Sequence, residues 1–397
     1  MTTPLPVVRV GRKGEERLRS GHPWVFGDDL REVPEGMVPG QWVRVFSRSG
    51  DFLGTATANL RSRLALRRVS RGEAEPTRAF IESRLREALS RRAAAGMGGD
   101  RALRVVYSEG DLLPGLIVDR FGEILSLQIL TAGMEIVREP VLDSLERLLS
   151  PRLIYERSEG AGRRLEGLAE RKGPVRGGGP PREEIETDGV RFLVDVETGP
   201  KTGFFLDQRE NRNIVRRLAE GRDVLDGFCA GGGFGLYALA GGARSVLAMD
   251  SSRSAVETAL GNARRNGVSD QWRGEIADLF RALRDLSESG QRYDLVVLDP
   301  PSFTKTREGR EGALRGYRDI NRLGLSVLTP GGLLATSSCT QLVDVAKWKG
   351  ALRDAAADAG ADLELVAWGG QPPDHPVLLS APETEYLKFA VYRKRLP

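Results

Sequence analysis

Residues 222–235 read RDVLDGFCAGGGFG. A short apolar run, Val224 and Leu225, ends at Asp226 and breaks into a glycine-rich turn, and the apolar stretch FGLYALAGG (234–242) follows. A buried strand that feeds a helix through such a turn is the opening unit of a doubly wound sheet. The same rhythm continues outward. ARSVLAMD (243–250), YDLVVLDP (293–300) and GGLLATSS (331–338) read as further buried strands, with a shorter one near QWRGEI (271–276). Helical stretches such as SRSAVETALGNARRNG (252–267) lie between them. Strand and helix in alternation predict a parallel, Rossmann-like α/β sheet covered on both faces, occupying residues 186–397.

Ligands of such sheets sit at the carboxyl ends of the strands. Four chemically capable side chains fall there: Asp226 after the first strand, Asp250 after the second, Asp299 after the fourth and Cys339 after the fifth. Glycines after the first strand permit a tight turn and close approach of a cofactor to the backbone. Gly231, Gly233 and Gly235 are evenly spaced, which departs from the dinucleotide fingerprint and disfavours a nicotinamide-dependent oxidoreductase. No Lys-Ser/Thr follows, so this is not a phosphate loop. Asp250 is placed to accept hydrogen bonds from ribose hydroxyls, and together these features predict a nucleoside cofactor.

The N-terminal part differs. GQWVRVFS (40–47), DFLGTATAN (51–59) and LALRRVS (64–70) form a small β-rich unit over residues 1–70, preceded by Trp24 and Phe26, which the spacing assigns to a core face. From residue 75 to 185 a helix, EPTRAFIESRLREALSRRAAAG, leads into a mixed α+β unit. Residues 171–182, RKGPVRGGGPPR, read as a flexible linker or long hairpin loop. Residues 1–70 hold 12 Lys and Arg against 7 Asp and Glu, whereas the whole chain carries only +4, so the basic excess sits at one end. That asymmetry suits a polyanionic partner. Neither an apolar signal core nor a run of about 18 apolar residues is present, so no membrane partner is expected. Two cysteines suit a reducing cytoplasm, and two histidines are too few for a histidine-built metal site.

Several longer stretches carry a resemblance. HPWVFGDDL (22–30), EGDLLPGLIVDRFG (109–122), IYERSEGAGRRLEGL (154–168), VETGPKTGFFLDQRENR (196–212), VLDGFCAGGGFGLYAL (224–239), DPPSF (299–303), SSCTQ (337–341) and QPPDHPVLLSAPETEYLK (371–388) span most of the chain. The sequence resembles the class I, S-adenosyl-L-methionine-dependent large-subunit rRNA cytosine-C5 methyltransferases that carry an N-terminal PUA domain. The resemblance implies a PUA-like β-barrel at 1–70, an EEHEE-like α+β domain at 75–185 and a methyltransferase domain at 186–397. It implies Cys339 as nucleophile and Asp299 as its catalytic partner. It also implies Asp226, Phe228, Gly231, Gly233, Asp250, Ser251, Asp278, Gln208 and Arg209 at the cofactor. Lys201, Pro300, Pro301 and Phe303 are implied at the substrate. The partner would be large-subunit rRNA, and a homodimer is compatible with these features.

Read for themselves, several of these residues keep alternatives. Cys339 and Cys229 each suit a small buried apolar position. Asp226 suits a turn cap, Asp278 a helix cap, and Gln208-Arg209 the first turn of a helix. DPPSF also suits enzymes that methylate exocyclic amino groups, with Phe303 stacking on the base and no cysteine needed. A non-catalytic RNA-binding protein is disfavoured because the full strand-end constellation is present.

Overall fold

The computed structural model describes residues 4–304 and 306–395; residues 1–3, 305 and 396–397, which the sequence-based domain ranges include, lie outside it. Its residues form two compact units. The first holds residues 1–185 with 194–206 and 373–384, and the second holds 186–193, 207–372 and 385–397.

In the first unit, β1 (Val7–Val10), α1 (Arg12–Arg19), β2 (Trp24–Phe26), β3 (Leu30–Glu32), β4 (Gln41–Phe46), β5 (Phe52–Ala58) and β6 (Leu64–Ser70) come first. The strands make one six-stranded sheet in the order β2-β6-β5-β4-β1-β3. Its core is built by Val8, Val10, Val25, Val43, Val45 and Leu66. Trp24 and Phe26 do not join that core: the buried residue of β2 is Val25, and the two aromatics lie half-buried on its other face. The reason is polar. The Trp24 indole donates to Glu109 at 2.9 Å, and the Arg17 guanidinium lies 4.5 Å from the Phe26 ring.

The same unit continues with α2 (Arg78–Arg92), β7 (Ala102–Tyr107), β8 (Leu116–Phe121), β9 (Ile124–Ile129), α3 (Ala132–Ile136), α4 (Arg138–Leu149), β10 (Leu153–Ser158), α5 (Ala161–Leu165) and β11 (Arg171–Gly177). Thr77 caps α2 by accepting from the Phe80 N–H. The sheet order is β11-β10-β9-β8-β7. The expected linker is therefore largely a strand: residues 171–177 pair antiparallel with β10. Its composition is tolerable because β11 is an edge strand, and Pro174 sits beside a register irregularity where no ladder donor is required. The two sheets share a core, since Trp42 and Val69 pack with Ile81, Leu85 and Val105. Arg67 bridges them further, reaching Glu109 at 2.7 Å and Glu166 at 3.2 Å. The late segment 373–384 is tied into this unit by Asp374, which accepts from the Arg104 N–H at 2.8 Å, and by Arg92, which donates to the Asp374 carbonyl.

β12 (Arg182–Thr187) and β13 (Val190–Asp195) form a two-stranded hairpin. The second unit then holds α6 (Arg209–Leu218), β14 (Asp223–Gly227), α7 (Gly233–Ala240), β15 (Ser245–Asp250), α8 (Arg253–Arg265), β16 (Trp272–Ile276), α9 (Leu279–Glu288), β17 (Tyr293–Leu298), α10 (Arg310–Ser326), β18 (Leu328–Ser338), α11 (Val345–Asp358), β19 (Leu363–Gly369) and β20 (Lys388–Lys394). The seven strands run β16-β15-β14-β17-β18-β20-β19. The first five are parallel, and β20 joins β18 and β19 antiparallel. Strand order reverses between β14 and β17, which opens a crevice at their carboxyl ends. No helix among the described residues is long and apolar enough to cross a membrane.

Candidate active site

The turn after β14 is strained where a ligand would approach. Phe228 (φ 63°) and Ala230 (φ 47°) both occupy the left-handed region, which costs non-glycine residues energy and concentrates at functional sites. Asp226 holds the turn from beneath. It is 1% exposed, and its Oδ2 accepts the Gly235 N–H at 2.8 Å. Burial raises its pKa to about 7, reinforced by the charges of Asp299 and Asp250 and opposed by the Gly235 hydrogen bond and Arg212. Burial also pushes the Cys229 thiol far up, so it is an inert packing residue.

The glycines divide by role. A Cβ on Gly233 would lie 2.6 Å from the Arg212 Nε, and one on Gly235 would lie 2.7 Å from the Trp272 ring. Those two exist for close packing beneath α7. A Cβ on Gly231 would meet nothing nearer than 3.8 Å, so its surface is open. Asp250 closes β15, and each of its oxygens accepts one backbone N–H, from Ala230 at 3.1 Å and from Ser252 at 2.9 Å. A carboxylate oxygen has two lone pairs, so acceptor capacity remains for hydroxyls. Ser251 is exposed beside it. Asp278 is exposed and caps α9 through the Arg281 N–H at 3.0 Å. An open backbone turn beside a carboxylate with spare lone pairs fits the ribose of a nucleoside cofactor.

Asp299 follows β17 directly, and Cys339 follows β18 directly. The neighbouring strand ends are joined by side chains. The Ser337 hydroxyl donates to Asp299 Oδ1, and the Gln208 amide donates to the same oxygen at 2.9 Å. Asn211 donates to Gln208 Oε1 at 2.6 Å, which fixes the amide so that its NH2 faces Asp299. Gln208 therefore meets the carboxylate of the site, a contact its place in the sequence did not reveal. Arg209 faces Asp188 at 3.5 Å. Pro300 is buried and Pro301 exposed. Phe303 packs edge-on against Tyr317, with ring centroids 4.8 Å apart, and against Phe280. Lys201 belongs to the first unit, its ammonium 4.6 Å from the Phe205 ring. Cys339 itself is half-buried. Ser337, Tyr317, Asn211 and Lys388 were not singled out from sequence; the only signal for Lys388 is a lysine at the head of the apolar run KFAVY.

A parallel sheet with a glycine turn after the first strand and carboxylates after the second and fourth has the architecture of a class I methyltransferase. Residues 177–390 match the family model of S-adenosylmethionine-dependent methyltransferases, and residues 8–71 match that of PUA-like domains. The cofactor is thus S-adenosylmethionine. The ribosomal RNA large subunit methyltransferase I of Aeromonas hydrophila is 38% identical over 96% of this chain and 98% of its own. That of Photobacterium profundum is 38% identical over 99% and 100%. The chain belongs to this family. In fold it is similar to a putative SAM-dependent methyltransferase from Streptococcus mutans, with a TM-score of 0.83, 20% identity and coverage of 98% and 100%. It is likewise similar to the putative methyltransferase SMU.776 complexed with SAH, with a TM-score of 0.85, 21% identity and the same coverage.

Proposed function

We propose that the protein methylates carbon 5 of a cytosine in large-subunit rRNA, with Cys339 as covalent nucleophile. The observation that carries this reading is the half-buried thiol directly after β18, on the strand neighbouring β17, whose end carries Asp299. Cytosine carbon 5 is a poor nucleophile. Addition of the Cys339 thiolate to carbon 6 breaks the 5,6 double bond and makes carbon 5 electron-rich, which is covalent catalysis. Asp299 has its Oδ1 held by two donors; in this reading its carboxylate meets the N3/N4 edge of the base and stabilises the protonated ring. The cofactor, when bound by the 228–235 turn and Asp250, supplies an electrophilic methyl group. Loss of the carbon-5 proton then restores the double bond and expels the thiolate from carbon 6. The target base must leave its stack to expose carbon 6.

The packing of Phe303 supports this over methylation of an amino group. Phe303 is half-buried, with Tyr317, Phe280 and Gly316 against its ring, so much of that ring serves packing rather than a base. The test is RNA carrying 5-fluorocytosine, whose fluorine cannot leave as a proton does. A covalent complex located by mass spectrometry on Cys339 is expected, and Cys339→Ala should abolish turnover while keeping cofactor affinity. An adduct on Cys229 would transfer the nucleophile's role to that residue, and a fully active Cys339→Ala enzyme that forms no adduct sinks the covalent mechanism and favours amino-group chemistry. Nucleoside analysis of rRNA from cells with and without the protein checks the product.

A further inference from the structure

The turn that carries Cys339 is closed by a buried lysine. Lys388 opens β20 and stands opposite Ser338, the residue before the thiol. It is 6% exposed, and its Nζ donates to the carbonyls of Thr340 and Val343, each at 2.9 Å. The same turn is held from α10, where the Tyr317 hydroxyl meets Thr340 Oγ1 at 2.7 Å, and from the loop after β17, where Ser302 meets it at 3.2 Å.

Closing a turn does not require a cation. Neutral donors satisfy carbonyls, whereas taking an ammonium out of water costs several kcal/mol unless a negative charge compensates. Burial pushes the Lys388 pKa down, and the largest opposing influence is the charge of Cys339, ahead of Glu385 and Asp344. Such coupling is mutual, so an ammonium here favours the thiolate as much as the thiolate favours the ammonium. Tyr317, whose pKa is pushed up to about 12 chiefly by burial, also feels the charges of Cys339 and Asp299, so a carboxylate stands in the same neighbourhood as the ammonium.

We propose that Lys388 is a positioning residue for Cys339: its fixed ammonium shapes the turn and holds the sulfur as thiolate. The proposal rests on the nucleophile reading above and adds two consequences to it. More nucleophile is present at neutral pH, since only the thiolate attacks. Release is helped as well, because a thiolate stabilised by the ammonium is a better leaving group from carbon 6.

The test is alkylation of full-length protein by iodoacetamide between pH 6 and 10, without RNA. Peptide mass spectrometry reads Cys339 separately from Cys229. Lys388→Met should move the Cys339 midpoint up by about one unit, an approximately tenfold slower reaction at pH 7. Lys388→Arg should keep the midpoint near that of the parent. With RNA, the acid limb of the kcat profile should move by the same amount in Lys388→Met. A midpoint that stays put while turnover falls at every pH makes Lys388 a turn pin only and overturns the proposal. Cofactor calorimetry reports whether each variant is folded. If Lys388→Met is not, a parent midpoint at the ordinary free-thiol value of about 8.5 overturns it equally. A fully active Cys339→Ala enzyme would defeat the nucleophile reading without altering the alkylation result, so the two fail separately.

Discussion

Asp226 gives the turn after β14 a pH dependence that can be measured. Its folded-state pKa of about 7 stands well above the usual 3.8, because the carboxyl is fully buried near two other carboxylates. A carboxyl with a raised folded pKa binds more proton when folded than when open, so stability falls as pH rises between those two values. Each unit is worth about 1.4 kcal/mol, so the fall between pH 5 and pH 8 is on the order of 3 kcal/mol. Asp226→Asn removes the titration and keeps an oxygen for the Gly235 N–H. Its amide NH2 takes the place of Oδ1, and burying it without an acceptor costs about 1–3 kcal/mol at every pH. The variant should thus open more easily than the parent at pH 5 and no more easily at pH 8. Hydrogen exchange of peptides spanning β14 to α7, compared at matched pH, reads the opening free energy of this segment directly. A parent-to-variant difference that is constant from pH 5 to 8 would refute the assignment of the titration to Asp226.

Asp250→Ala should weaken S-adenosylmethionine binding by about 1.5–3 kcal/mol in calorimetry, the worth of charge-assisted hydrogen bonds; unchanged affinity removes Asp250 from the cofactor site. Gln208→Ala should lower kcat and leave cofactor affinity intact, because the amide orients Asp299. The opposite pattern would assign Gln208 to the cofactor, as the resemblance implies. The basic N-terminal sheet is best tested by charge reversal, since Trp42 and Val69 share a core with Ile81 and Leu85 and deletion of residues 1–70 would expose it. Reversing the exposed Arg48, Arg61 and Arg63 to Glu should weaken RNA binding and flatten the salt dependence by up to about three in log–log slope. A slope equal to the parent's would show that these arginines contact no phosphate.

Four of the five parallel strands, β14, β15, β17 and β18, were legible because each holds a continuous apolar run bounded by polar or glycine-rich residues, as burial on both faces demands, whereas β16 is an edge strand in which Trp272 alone is buried and carries no such run. The additions were not legible. β19 is an edge strand whose Leu365 and Trp368 are exposed, and β20, although its FAVY is apolar, follows β19 without an intervening α-helix and pairs antiparallel, outside the strand–helix alternation. β11 was missed for the opposite reason. Its glycines and Pro174 look like linker, yet an edge strand needs few donors and little side-chain packing. Trp24 and Phe26 were misassigned because alternation gives two faces without saying which is apolar, and here Val25 alone meets the core.

The site was legible at the level of single strand ends and opaque at the level of what joins them. Asp226, Asp250, Asp299 and Cys339 are found by counting to the end of each strand, since topology alone places those ends along one edge. What orients them comes from elements distant in sequence: Gln208 from the turn before α6, Ser337 from within β18, Lys388 from β20. Each is an ordinary polar residue whose significance lies in its partner, and no spacing rule connects position 208 to 299 or 388 to 339. The long motif VETGPKTGFFLDQRENR illustrates the point. Its Thr202 donates to the buried Asp119 of the first unit at 2.5 Å, while six residues later Gln208 donates to Asp299 in the second. One continuous signature thus anchors in one unit and orients a carboxylate in the other. Sequence order conceals that the chain changes units between Leu206 and Asp207.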